Sequence, residues 1–461
     1  MTEWRLTGLA REVGGELRGT DRGFSKVSTD TRSLEQRSLF VALKGPNFDG
    51  CDFIDAARER GASGALVERF VDSGLPQVRV ADTLEALGQF AHAHRLRFGI
   101  PIVAVTGTNG KTTVKNMLAR ILEQQFKVLA TEGNLNNEIG VPLTLLSLRA
   151  QHEAAVVELG ANHAGEIGRL TAIVDPSVGL VTNATAAHLE GFGSVEGVAR
   201  SKGELFEQLD SEATAVINAD DVYCEMWQEL AGDRRMLTFG SHPGADFRIS
   251  GVSQETDNGQ ISVRFTLHTP DGTGTIRIPL AGAHNALNAA AATAAAWAIG
   301  ADFSSAVAGL RTVAPAAGRL EIFETIAGAR LINDSYNANP TSLTAAIQFL
   351  VALDGEPWVV IGDMGELGEH SERWHTEIGA RAHEYGVRRL FGVGTLARRA
   401  VDAFGSGGEW FEDIDVLTQT LKSRLRPDVN LLVKGSRMMR LERVVADLVS
   451  EPPAMRQVNG D

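Results

Sequence analysis

The sequence predicts an α/β protein of three domains, on three observations. Its 461 residues exceed what one hydrophobic core organises. Short apolar runs alternate with helical segments from Ile100 to Asn218, and again from Ala329 to Ser436, the pattern of parallel sheets with crossover helices. Between the two series lies VAPAAGRLE, Val313 to Glu321, where Pro, Ala and Gly cluster as they do at a domain junction. The expected segments are 1–97, 98–314 and 315–461.

The first segment mixes SLFVAL (Ser38 to Leu43), GALVE (Gly64 to Glu68) and QVRV (Gln77 to Val80) with turns and short helical patterns, a small α/β domain. Its start, MTEWRLTGLAREVGG, is too polar for a signal peptide and opens like an amphipathic helix. The central segment reads strand then helix: PIVAVT, a helix from Lys111, FKVLAT, a helix near Val141, AAVVELG, SVGLVTN and ATAVIN. From Ala245 to Pro279, alternating β-rich runs predict antiparallel strands appended to that sheet. Ala286 to Ala301 is a packed helix closed by Gly300; its alanine bias and the interruptions at Asn288 and Thr293 argue against a membrane span. The third segment carries ARLINDS, PWVVIGD, RRLFGVG and NLLVKGS as strands, a Rossmann-like α/β domain to about Val449. The tail EPPAMRQVNGD reads as frayed.

Composition narrows the function classes. Hydrophobic residues at 43% and charged residues at 22% are ordinary for a globular chain and exclude disordered and collagenous classes. A net charge of −14 argues against a nucleic-acid coat and leaves anionic substrates to local cationic pockets. Two cysteines, Cys51 and Cys224, far apart and without ligand spacing, suit a reducing compartment. A cytoplasmic monomer with no membrane insertion is expected.

The sharpest motif is AVTGTNGKTT, Ala104 to Thr113. An apolar strand ends in a glycine-bearing turn and a helix begins at the lysine, which is phosphate-loop architecture. Gly107 and Gly110 let the backbone turn N–H groups toward an anion, the helix N-terminus adds positive potential, and Lys111 can reach terminal phosphates. Thr112 can place its hydroxyl on Mg²⁺. The general GxxxxGK[ST] form needs glycine where Val105 stands, so this loop departs from ordinary P-loop NTPases. TGTNGKTT resembles the Mur ligases and folylpolyglutamate synthetases instead, with Gly107, Thr108, Asn109, Gly110, Lys111, Thr112 and Thr113 as the implied ATP-binding residues.

The resemblance to the Mur ligase family covers essentially the whole chain. STDTR, with Thr31 and Arg32, and the following SLFVALKGPNFDGCDFIDAA are similar to the family's N-terminal domain, which holds the UDP end of the precursor; read alone, Thr31 and Arg32 are turn residues. GNLNNEIGVPLTLL resembles the substrate loop and implies a precursor contact for Asn137, where an Asn/Gly-rich turn is the alternative. VVELGANHAGEI puts Glu158 at a strand's carboxyl end, where open α/β sheets bind ligands; the resemblance makes it a Mg²⁺ ligand. TNATAAHLEGFGS supplies His188, implied near a second Mg²⁺, although a lone histidine is more often structural. ARSKGELF places Lys202 on a helix start, matching the lysine these ligases carry as a carbamate made with CO₂. GAHNALNAAAA provides Asn285, implied to face adenine or else to sit at a helix N-terminus. Arg319 and Asp334 match residues that close over ATP phosphate and ribose; an exposed arginine and a turn aspartate are the alternatives.

Within the family, DSYNANP at Asp334 to Pro340 resembles the type that adds D-alanyl-D-alanine to a UDP-N-acetylmuramoyl-tripeptide in peptidoglycan synthesis. Asn337, Asp363, Lys434 and Ser436 are the implied residues near the dipeptide. Expected chemistry is ATP-dependent formation of an acyl phosphate and its attack by the dipeptide amine, with Lys111, His188 and Lys202 in catalytic roles. Thr112, Glu158, His188 and carbamylated Lys202 would surround two Mg²⁺ ions. The competing expectations are another ligase of the family, adding the third residue of the stem peptide or of the folylpolyglutamate type, and a non-catalytic protein that grips the UDP-precursor.

Overall fold

The computed structural model describes residues 3–257 and 260–450; the tail read as frayed lies outside them. Its strands sort into three large sheets and one two-stranded ribbon. In the first segment, Lys26–Ser28, Ser38–Val41, Gly64–Val67 and Gln77–Arg79 run parallel, and Glu16–Arg18 closes one edge antiparallel. The expected N-terminal helix forms at Leu6–Glu12, burying Leu6, Leu9 and Ala10. It follows the strand Trp4–Arg5, which pairs with Gly23–Phe24.

The first segment keeps a small core of its own around Phe40, Ile54 and Val67, and shares a larger one with the central segment. Helix Thr83–Arg95, capped by the Asp82 carboxylate on Leu84 and Glu85 N–H, packs across the junction. Trp4 Nε1 donates to His94 Nδ1 (3.2 Å), His94 Nε2 meets the Leu148 carbonyl (3.2 Å), and Arg95 donates to the carbonyls of Val174 and Asp175 (both 3.0 Å). One apolar cluster runs from Trp4 and Phe90 through Val141 and Leu170 to Trp227. Large aromatic burials of this kind cost about 3–5 kcal/mol each to truncate, so this seam is rigid rather than a loose linker.

The central sheet has nine strands. Val128–Ala130, Ala154–Glu158, Ile102–Thr106, Val178–Val181, Thr214–Asn218 and Arg235–Gly240 lie side by side and parallel. Four of these runs, IVAVT, AAVVE, VGLV and TAVIN, are buried along their whole length, as strands covered by helices on both faces must be. The β-rich stretch becomes Phe247–Asp257, Gln260–Thr269 and Gly272–Ile278, antiparallel to one another. They extend the same sheet rather than forming a separate layer, because Phe239 and Phe247 pair in register. Helix His284–Ala298 packs its small alanines on the helix that follows the phosphate loop. It ends where predicted: Gly300 has φ +97° and Ala301 N–H closes on the Ala296 carbonyl at 3.0 Å.

The last sheet has six strands, ordered Glu321–Glu324, Arg330–Asn333, Val429–Lys434, Glu356–Gly362, Arg389–Val393 and Gly408–Phe411, parallel except for the first. Both outer strands are short and half-buried and escaped the sequence reading, since neither gives a sustained apolar run. The carboxyl ends of the inner strands deliver Asp334, Ser436 and Asp363 to one edge of the sheet, facing the central domain. No helix among the described residues is long and apolar enough to cross a membrane.

Candidate active site

The phosphate loop joins strand Ile102–Thr106 to helix Lys111–Leu122. Its two glycines are required by close approach. Gly107 has φ +141°, and a Cβ there would stand 1.9 Å from Thr182 Oγ1; Gly110 has φ +83°, and a Cβ would meet Asn288 Oδ1 at 2.6 Å. The next strand end holds the loop from behind. Asn183 takes the Thr108 N–H on its carbonyl (2.9 Å) and the Asn109 N–H on its side-chain oxygen (3.0 Å), while Thr182 Oγ1 donates to the Asn109 carbonyl (2.7 Å). Thr108 and Asn109 therefore spend their N–H groups on shape. The N–H groups at the start of the helix, from Lys111 to Thr113, remain for an anion, as at other helix N-termini.

Lys111 Nζ folds back onto the carbonyls of Gly107 (2.8 Å) and Thr108 (3.1 Å). Burial lowers its pKa to about 8, with Glu158 opposing and Arg319 adding to the fall. Thr112 Oγ1 donates to Glu158 Oε1 (3.3 Å), which also accepts from Asn136 Nδ2 (2.8 Å). Glu158 is 2% exposed, and its second oxygen, Oε2, is buried without a hydrogen-bond partner. A buried carboxylate oxygen left open is costly unless a donor or cation meets it. One carboxylate and one hydroxyl suit Mg²⁺, which binds through few protein oxygens and completes its shell with water and phosphates.

Lys202 is fully buried. It sits in the second half of helix Val195–Glu207 and not at a helix start, because Ser194 accepts from Gly197 N–H and begins the helix earlier than the motif suggested. Its Nζ has only a long contact to the Ala161 carbonyl (3.5 Å) and lies over the Phe192 ring. Burial, then Lys111, lowers its pKa to about 7. His188 takes φ +51° and brings Nδ1 to 2.5 Å from Glu366 Oε2 of the last domain. That is a close polar contact whose direction falls outside hydrogen-bond geometry, and Nδ1 has no hydrogen-bond partner.

A narrow cleft opens beside the loop, lined by Thr113, Asn116, Asn285, Ala316, Arg319 and Leu320 among others. Asn285 does not cap its helix. Its Nδ2 donates to the Ala281 carbonyl (2.7 Å) and its Oδ1 accepts from Asn288 (2.9 Å), which fixes the amide at the cleft wall. Arg319 stacks over Tyr336 at 4.4 Å and donates to Thr112 Oγ1 at 3.2 Å. Asn339, at the start of helix Pro340–Val351, donates to Asn109 Oδ1 at 2.8 Å. The last domain thus touches the phosphate loop at two points.

Behind that contact, Asp334 accepts from Lys434 Nζ (2.6 Å) and from Leu320 N–H (3.2 Å), and Lys434 also donates to the Asn337 carbonyl (2.8 Å). Asp363 Oδ1 accepts from Ala397 N–H (2.7 Å), a scaffold bond. Ser436 Oγ is buried with no partner. Asn137 Oδ1 accepts from Ile139 and Gly140 N–H and so caps a helix, while its neighbour Asn136 reaches Glu158. Thr31 and Arg32 stand apart from this cluster; Arg32 is exposed and paired with Asp30.

Three family models match the chain: Mur ligase family, catalytic domain, over residues 24–95; Mur ligase middle domain over 105–296; and Mur ligase, glutamate ligase domain over 318–437. The UDP-N-acetylmuramoyl-tripeptide--D-alanyl-D-alanine ligase of Escherichia coli (strain K12) is 42% identical over 96% of this chain and 98% of its own. The chain belongs to the Mur ligase family. The Bacillus subtilis (strain 168) protein of the same name is 36% identical over 92% of this ligase and 93% of its own length. The crystal structure of MurF from Acinetobacter baumannii superposes with a TM-score of 0.91 at 35% identity, covering 98% of this chain and all of that one. MurF from Thermotoga maritima in complex with ADP gives 0.79 at 28% identity, covering 91% and 96%.

Sequence reasoning on this Mur ligase missed Asn136, Asn183, Tyr336, Asn339 and Glu366. Asn136 stands beside the chosen Asn137 in NLNNE, Tyr336 and Asn339 lie within DSYNANP, and Glu366 follows GDMG. Each motif was visible; which of its side chains turns toward the loop was not.

Proposed function

We propose that this ligase joins D-alanyl-D-alanine to UDP-N-acetylmuramoyl-tripeptide with ATP, in the cytoplasm, using segments 1–97, 98–314 and 315–461 for precursor, nucleotide and amino substrate. One observation carries the reading: residues of the last domain close on the phosphate loop, in a chain similar along nearly its whole length to ligases named for that reaction. The tripeptide's terminal carboxylate attacks the γ-phosphorus and ADP leaves, giving an acyl phosphate. The dipeptide amine attacks the acyl carbon, loses a proton, and inorganic phosphate departs as the amide forms.

Catalysis here is positioning and charge neutralisation. Lys111 exchanges the loop carbonyls for phosphate oxygens, and Arg319 supplies a second cation from the facing domain. Asn285 and the surrounding cleft take the base, and Asp334 stands toward the ribose side. Thr112 and Glu158, joined by His188 and by Lys202 once CO₂ has converted its amine to a carbamate, would hold Mg²⁺, two ions, to offset phosphate charge. The open Glu158 oxygen and the nearly unpartnered Lys202 amine support that set. Asn137, Thr31 and Arg32 serve the precursor, and Asn337, Asp363, Lys434 and Ser436 line the dipeptide side, with the open Ser436 hydroxyl as the group left to bind. Closure of the cleft over the bound substrates would exclude water from the acyl phosphate.

The test is mass spectrometry of purified protein with Mg-ATP, UDP-N-acetylmuramoyl-tripeptide and D-alanyl-D-alanine, with single omissions and a Lys111→Ala control. A UDP-linked pentapeptide that needs every component is expected. Product from a different amino acceptor, or bound precursor without product, overturns the reading.

A further inference from the structure

We infer that Asn339 is a positioning residue that couples docking of the last domain to the geometry of the phosphate loop; this rests on the ligase reading above. Asn339 is 8% exposed and begins helix Pro340–Val351. Its Oδ1 accepts from Ser342 N–H at 2.9 Å, and Ser342 Oγ accepts in turn from Asn339 N–H at 3.1 Å. That is a complete capping box with proline at the first helical position, and serine or aspartate would satisfy the same helix equally well. What only asparagine adds among those residues is an amide donor. It is spent outside the domain, on Asn109 Oδ1 at 2.8 Å.

The receiving residue is fixed on every other side. The backbone of Asn109 is held by Thr182 and Asn183, and its Nδ2 donates to Thr185 Oγ1 at 3.1 Å, which turns Oδ1 outward. Two residues further on, Lys111 and Thr112 begin the phosphate-binding helix. The loop's resting shape does not depend on the last domain, because Asn183 builds it from within the central sheet. Asn339 meets the loop only when the domains are together, so its bond belongs to the closed, reacting arrangement and not to nucleotide capture.

The test is Asn339→Ser, which keeps the cap and removes the reach. A neutral hydrogen bond made only in the reacting arrangement is worth about a three- to tenfold change in rate. The expected result is kcat lower by about that factor, with ATP affinity of the protein alone and the melting temperature unchanged. An Asn109→Ser, Asn339→Ser double variant should be no slower than Asn109→Ser alone. Unaltered kcat in Asn339→Ser, or losses that multiply in the double variant, overturns the inference. Absence of pentapeptide from the unmutated enzyme would instead overturn the ligase reading, and the two failures are distinguished by that control.

Discussion

Replacing Asp334 with asparagine should loosen the last domain and disable the enzyme together. The carboxylate bridges Lys434 Nζ at 2.6 Å and Leu320 N–H at 3.2 Å, with side chains only 13% and 4% exposed for the acid and the lysine. An asparagine has one oxygen for two donors, so its amide nitrogen opposes either the ammonium or the backbone N–H. Breaking a buried pair by removing one partner costs about 3–5 kcal/mol, because the other charge is left uncompensated. Lys434 retains the Asn337 carbonyl, which puts Asp334→Asn near the lower end, about 3 kcal/mol. Lys434→Met should cost less, about 1–2 kcal/mol, since Asp334 keeps Leu320 N–H and some solvent. The double variant should recover part of the loss. A three-segment chain does not unfold in one step, so the readout is amide hydrogen exchange of peptides covering 330–333 and 429–434, which reports local opening. If Asp334→Asn changes that opening free energy by less than about 1 kcal/mol, the pair is not the anchor argued here. Leu320 adjoins Arg319, so lost product formation should accompany the loosened strands.

Other outcomes follow from the same geometry. Glu158→Gln removes the negative charge from a carboxylate whose Oε2 is buried without a hydrogen-bond partner. Mg-ADP at a hundredfold its Kd should stabilise the unmutated enzyme by about 2.7 kcal/mol, and a thermal shift of similar size in the variant would remove Glu158 from the metal's surroundings. Lys202→Met should abolish pentapeptide formation without lowering the melting temperature at pH 7. Burial holds the lysine's pKa near 7 against 10.5 unfolded, so the unfolded chain binds the extra proton and the unmutated enzyme gains stability as pH rises across that window; the variant should lose that slope in calorimetry. His94, buried against Trp4 and the Leu148 carbonyl, has its pKa pushed down by burial to about 4. The stability of its neutral form is complete above pH 6.5 and lost as pH falls from 6.5 through about 4. His94→Gln keeps a donor and an acceptor and should flatten that acid limb; an unchanged limb would assign it to other groups.

The sequence by itself determined the class of fold, the order of its segments and the chemistry of the phosphate loop. The apolar stretches IVAV and AAVV mark strands covered on both faces, glycine at 107 and 110 lets the loop backbone take positive φ, and the alanine-rich helix stops at Ala298, ahead of Gly300, through a local cap. These are consequences of neighbours in the chain. Short edge strands such as Gly408–Phe411 were illegible because a half-buried edge needs no sustained pattern. Only the tertiary structure decided that the first two segments share one core through Trp4 and His94, and that Asn136 rather than Asn137 meets Glu158. It alone brought Arg319 and Asn339 to Thr112 and Asn109, more than two hundred residues away. A side chain's type limits which bonds it can make; which of them it makes depends on distances and directions set by packing between distant elements, and no local pattern carries those.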